Sequence, residues 1–389
     1  MKDESTKAEE KKVPSRAFKV QLIIIMGLLA MCGVLNIVSW KSESFCNFYQ
    51  GHIYPIWENL YGRMTSLMPF SFGELLIALG VVLIPLAFLA LVFFMITGKF
   101  GRKRTGKIIG LFYLWVVTFV VLTETLNCFV LYHCPSFAKL GGISESKHTN
   151  EELEELGDRI VAQLNELAPQ VKRDDQGCFV LTADLDETAK KSMQRLGEEF
   201  RYLDGYYVTP KSIYCSFFMS QMDLMGIYFP FSMEANYNNE MFKAKLPATI
   251  CHELAHTKGF MREDEANFIA FVACDRSDNV EYRYSGYLSA LTEVRNRIFV
   301  YADEEKMIEF DSAISEQVWK DIDANRSFWQ SVEEAEDTVF DSRTVSEVSD
   351  KAMETSLHLN GVSDGKQSYG RMVDLMLNYY KDKEFGKVQ

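Results

Sequence analysis

The sequence predicts a mostly α, α+β protein: three N-terminal transmembrane helices, then one large domain holding a small β-sheet. Three observations predict this. Three long apolar runs fall within the first 131 residues, and charged amphipathic helical stretches begin at about residue 148. A single aromatic and β-branched block, between about 205 and 240, interrupts those helices.

The first run, Val20–Trp40, holds no charged residue and is flanked by Lys19 and Lys41; the second, Leu75–Thr97, is also uncharged. The third, Ile108–Leu131, is apolar except for Glu124. Each approaches the ~20 residues a helix needs to cross ~30 Å of hydrocarbon. The length of the first run and the two runs after it exclude a cleaved signal peptide. The tail 1–19 contains Lys11, Lys12, Arg16 and Lys19, and the loop at 98–107 reads GKFGRKRTGK. The loop between the first two runs has only Lys41 and Arg63 beside Glu43, Glu58 and Glu74. Positive-inside reasoning therefore puts the tail and the 98–107 loop in the cytoplasm. The membrane region is 20–131, and residues 145–389 form an extracytoplasmic domain of a multi-pass cell-membrane protein.

Of 389 residues, 41 are Lys or Arg and 54 are Asp or Glu, a net charge of −13. Residues 145–389 hold 27 of the basic and 46 of the acidic ones. So acidic a domain argues against nucleic acid as a partner. The eight cysteines show no regular spacing, which excludes a small disulfide scaffold. Cys46 and Cys134 fall just outside the membrane, where a bridge is open to them; Cys251 and Cys274 can bridge two helices or stay buried thiols.

Within the domain, Asn150–Leu167 sets Leu153, Leu156, Ile160, Val161 and Leu164 on one helical stripe. Asp186–Leu203 repeats the pattern, with Asp186 as candidate N-cap. Helical spacing returns at Ala244–Gly259, Arg262–Cys274, Tyr284–Phe299, an acidic stretch near 303–340, and Ser368–Lys381.

Chemistry concentrates in Leu246–Ala273, where His252-Glu253-Leu254-Ala255-His256 forms an H-E-x-x-H pattern. On a helix the two imidazoles sit one turn apart on one face, so both reach one Zn²⁺. Glu253 lies around the helix and serves as general base toward a metal-activated water. A catalytic zinc needs a third protein ligand and an open position. Glu265 is the first choice: it shares a face with Phe268, Ile269 and Val272, and a carboxylate aimed at a core needs a partner. Glu263 is the runner-up, with a first-turn helix charge as its simpler reading. Asn267 is placed to support the site from behind.

These residues resemble a zincin of the gluzincin type, in which a ligand Glu follows on a later helix. The stretch from Tyr228 to Leu291 is similar to the DUF3810 family, bacterial membrane proteins predicted to be metallopeptidases with an extracytoplasmic zincin-like domain. The similarity extends to the spans and the YGRMVDLMLNYY tail. It implies His252 and His256 as metal ligands, Glu253 as base and Glu265 as third ligand. Two departures stand out: the gap from His256 to Glu265 is short, and Ile269 occupies the place of a supporting Asp. The resemblance also implies that MEANYNN (Met233–Asn239) is a sheet-edge strand that pairs with a peptide substrate. Tyr284, near Tyr282, Arg283 and Tyr287, is a candidate oxyanion donor. The expected function is a membrane-anchored zinc metallopeptidase acting on protein or peptide. The alternative is a non-catalytic sensor or binding protein that keeps the zinc fold. The polar flanks KAKLPATI and TKGFMREDE exclude an intramembrane site.

Overall fold

The computed structural model describes residues 15–144, 146–335, 341–360, 371–381, 383 and 385. The tail residues Lys11 and Lys12, and the segment before Arg371, lie outside the described residues. Three helices are long and apolar enough to cross a membrane: Arg16–Lys41, Phe72–Thr97 and Arg102–Tyr132. They correspond to α1 (Ser15–Lys41), α2 (Phe72–Thr97) and α3 (Arg102–Glu124), the last continuing through a π-helical turn at Thr125–Phe129. Ser71 caps α2 by accepting from the Glu74 amide, and Gly98, at φ +64°, ends it. Polar side chains inside the bundle find each other, as apolar surroundings require. Trp115 Nε1 donates to Gln21 Oε1 at 3.1 Å, and Asn36 Nδ2 to Thr125 Oγ1 at 3.2 Å.

The domain begins with α4 (Asn150–Leu167), whose start is a capping box between Thr149 and Glu152. Its predicted stripe is buried throughout. In α5 (Leu185–Gly197) the N-cap is Asp184, not Asp186: the Asp184 side chain accepts from the Glu187 amide, three residues on. The aromatic block forms β1 (Lys211–Ser212), α6 (Ser216–Gln221), β2 (Gly226–Phe229) and β3 (Glu234–Tyr237). Strand order is β1-β3-β2, with β3 parallel to β1 and antiparallel to β2. The expectation for Met233–Asn239 is thereby corrected. The segment supplies the middle strand, since β1 and β2 take both its sides, and β2 lies at the edge. Next come α7 (Leu246–Thr257), α8 (Glu263–Asp275) and α9 (Val280–Phe299). They are followed by α10 (Glu304–Ala313), α11 (Glu316–Glu333), α12 (Ser342–Leu359) and α13 (Arg371–Tyr380).

Membrane region and domain share their cores. Phe137, just after the third span, packs against Phe200, Phe260 and Phe268 in the main core. A second core joins Cys46, Tyr49, Tyr54, Val130, Leu131 and Cys134 to the domain's Tyr228, Met233 and Met261. Polar ties reinforce the seam. The Tyr54 hydroxyl donates to the Thr257 carbonyl at 3.0 Å, and buried Glu58 pairs with Lys258 at 2.9 Å. Glu234 of β3 accepts from the Phe72 and Gly73 amides of α2 and pairs with Lys211 at 2.6 Å. The expected boundary between 131 and 145 is therefore not a boundary of packing. The basic stretch 98–107, whose residues from Arg102 onward already belong to α3, lies at the end of these helices remote from the domain, since α2 leaves the domain and α3 returns to it.

Candidate metal centre

Helix α7 is almost wholly buried, with Pro247 in its first turn and the Ala248 amide donating to Ser285 Oγ. One turn apart on it, the rings of His252 and His256 stand perpendicular, centroids 4.6 Å apart, and their Nε2 atoms are 3.0 Å apart. Each Nδ1 is already engaged: His252 Nδ1 with Asn267 Oδ1 at 2.7 Å, His256 Nδ1 with the Phe260 carbonyl at 2.7 Å. Both acceptors fix the proton on Nδ1 and leave two Nε2 lone pairs facing one point. Two such lone pairs at this distance repel unless a proton or cation lies between them.

The third donor comes from the chain reversal after α7. Gly259, at φ +89°, turns the backbone as only glycine does readily. Phe260 then delivers its carbonyl to His256, and α8 opens at Glu263. The Glu263 carboxylate lies 3.1 Å from His252 Nε2 and 3.7 Å from His256 Nε2. One ligand atom from each of His252, His256 and Glu263 falls within 4.8 Å of the others. Asn267 follows Glu263 by four residues, so both share the face of α8 turned to α7.

Glu265, the first choice from sequence, is not brought to the histidines. Its carboxylate accepts from the Phe137 amide at 3.1 Å and lies 3.5 Å from Arg262, and burial lifts its pKa to about 7. The partner its core-facing position demands is a backbone amide 128 residues away. Tyr284 is not near the site either. Its buried hydroxyl donates to Asp321, which pairs with Arg173 at 2.9 Å, a cross-tie between α9 and α11.

Glu253 is buried beside the pair, and its Oε2 has no hydrogen-bond partner among the described residues. Burial raises its pKa to about 8; the His252 charge pulls it down and the Glu263 charge pushes it up. Burial opposes charge on His252, but the bond to Glu263 and that carboxylate's charge win, raising it to about 9. Burial dominates at His256, which falls to about 4. Each ring keeps its Nδ1 proton, so without a metal the second, charging proton goes to His252 in preference to His256.

Sequence reasoning misses two contributors. Gly226 of β2 lies so close to Glu253 that a Cβ there would stand 2.4 Å from Glu253 Oε1. A glycine interrupting the apolar run LMGIYF is the available signal. Tyr228 sets its ring 6.3 Å from that of His256, while its hydroxyl bonds to Tyr54 and the Asn127 carbonyl. All eight cysteines are free thiols; Cys134 Sγ donates to the Cys46 carbonyl at 3.4 Å, and Cys251 and Cys274 are both buried.

No curated protein and no solved structure matches the chain. One family model does, described as a protein of unknown function (DUF3810), over residues 49–377. That range takes in α2, α3, the sheet and the whole of the histidine centre, so the chain belongs to the DUF3810 family.

Proposed function

We propose that the protein is a membrane-anchored zinc metallopeptidase whose domain faces away from the cytoplasm. The carrying observation is the convergence of two Nδ1-anchored imidazoles and the Glu263 carboxylate on one point, beside a buried carboxylate that takes no part in the cluster. Two nitrogens and one oxygen suit zinc and leave a fourth position open. A zinc ion held there supplies Lewis acidity toward a water and a carbonyl oxygen.

The chain's own residues do the rest. Asn267 and the Phe260 carbonyl hold the imidazoles in orientation and tautomer. Glu253, with a pKa near neutrality and one oxygen unpartnered, is suited to take a proton from water and pass it to the departing amine. With Glu263 as ligand, Asn267 four residues on fills the supporting role that Ile269 could not. The edge strand β2 supports a polypeptide substrate. The Asn238 amide donates to the Met225 carbonyl, so by alternation along the register Gly226 and Tyr228 turn their backbone groups outward, where an extended peptide can add as a strand. The basic 98–107 loop at the far end of the spans supports the orientation.

The test uses the purified full chain. It should bind about one zinc and cleave members of a mixed peptide library, and Glu253→Gln should keep the metal and lose cleavage. Zinc bound with no cleavage, and no difference between wild type and Glu253→Gln in cells lacking the native gene, favours the sensor reading instead.

A further inference from the structure

The sheet reaches the metal centre from the membrane surface. Glu74, in the first turn of α2, accepts from the Tyr214 amide at 2.9 Å and the Cys215 amide at 2.8 Å. The segment before α6 is therefore pinned to the domain-side end of a helix long and apolar enough to cross a membrane. β1 runs beside the chain that leads into that helix: Thr209 N donates to Ser66 Oγ at 3.1 Å, and Lys211 Nζ to the Thr65 carbonyl at 2.6 Å.

Both strips of chain are apolar and bare. Tyr214 is 94% exposed, Phe218 58% and Leu67 83%, and Phe217, Met68 and Phe70 are exposed beside them. Neither 67–73 nor 213–222 has a charged residue before Glu74 and Asp223. Exposed aromatic and aliphatic side chains from two segments far apart in sequence, with no charge among them, are costly in water. At the boundary of a bilayer they are favoured, because that is where aromatic rings settle.

This surface leads directly to Glu253. The end of α6 folds back, the Leu224 amide donating to the Met219 carbonyl at 2.9 Å, and half-exposed Met225 passes into β2. The next residue, Gly226, is the one packed on Glu253. At about 3.3 Å per residue, a peptide laid along β2 travels only a few residues between lipid surface and metal centre.

We propose that Tyr214, Phe217, Phe218, Leu67 and Phe70 rest in the lipid headgroup region, and that the site takes polypeptides tethered to the same membrane, cutting them within a few residues of its surface. The substrate half rests on the peptidase reading; the lipid half does not.

Two measurements on the full chain in lipid vesicles test it. In the first, tryptophan replaces Phe218 in one variant and Ile308, an exposed residue of α10, in another. Brominated phospholipids should quench the added fluorescence of Phe218→Trp strongly and that of Ile308→Trp weakly; equal quenching overturns the lipid contact. In the second, the zinc-loaded protein meets a membrane-anchored polypeptide carrying one cleavable sequence, selected from a peptide library, at about 5 and again at about 30 residues from its anchor. The near copy should be cut about tenfold faster, an effective-concentration effect. Phe217→Ser with Phe218→Ser should erase that preference while zinc content and cleavage of the free peptide stay unchanged. Equal cutting of both copies by the wild type overturns the substrate assignment with the peptidase reading intact. Cleavage of neither copy nor of the free library by the zinc-loaded protein overturns that reading and the assignment with it, and the quenching result still decides the lipid contact.

Discussion

In the proposed zinc site, His252 and His256 each have the ring held by its far nitrogen. Asn267→Ala frees the His252 ring, and zinc affinity, measured by chelator competition, should fall by about 10–100-fold. Glu263→Ala should abolish zinc binding, and Glu265→Ala should keep it, since Glu265 bonds to the Phe137 amide instead. Zinc content of the two purified variants checks this, and the reverse pattern would return the ligand to Glu265. Gly226→Ala should leave zinc in place but push Glu253 aside, lowering hydrolysis by about 10²–10⁴-fold, the usual worth of a general base. The histidine pair and Glu253 were legible in the sequence because their spacing alone fixes their geometry. The carboxylate that stands beside the pair was not. Glu263 looks like an ordinary helix-start carboxylate, and Glu265 looks needy only until a distant amide is known to satisfy it.

Elements were legible where periodicity carries the signal: the three long apolar helices and the stripe of α4 fall where the pattern puts them. Sheet order was not, because nothing local in EANY says whether a strand has one neighbour or two. Two buried carboxylates tie elements across the seam and give measurable consequences. Glu234→Ala strands Lys211 and the amides of α2, and should cost about 3–5 kcal/mol, read from thermal unfolding of the detergent-solubilised chain. Burial lifts the Glu58 carboxyl to about 6, with Lys258 pulling the other way. Its folded value lies above the unfolded value of about 4.3, so the folded chain binds the extra proton. That contribution, about 2 kcal/mol, is complete below the unfolded value and is lost as pH rises through about 6. Glu58→Gln should therefore flatten the fall in Tm across this window.

For the whole molecule, the division between anchor and domain that composition suggests does not survive in the packing. Residues 145–389 expressed alone leave behind Tyr54, Phe137 and Leu131, each buried in a core shared with the domain. Each such side chain contributes about 2 kcal/mol, so the fragment should lack a cooperative melt and the near-ultraviolet circular dichroism of the full chain. A tag on the C-terminus should be open to protease in intact cells; full protection would invert the proposed topology. The carbonyl of Thr257, at the end of the helix that bears both histidines, is held by Tyr54 from the chain between the first two spans. On the proposed topology, a cut in the chain after the third apolar helix leaves Tyr54 behind and should not release a folded ectodomain. On the peptidase reading, its cleavage is then confined to diffusion in two dimensions.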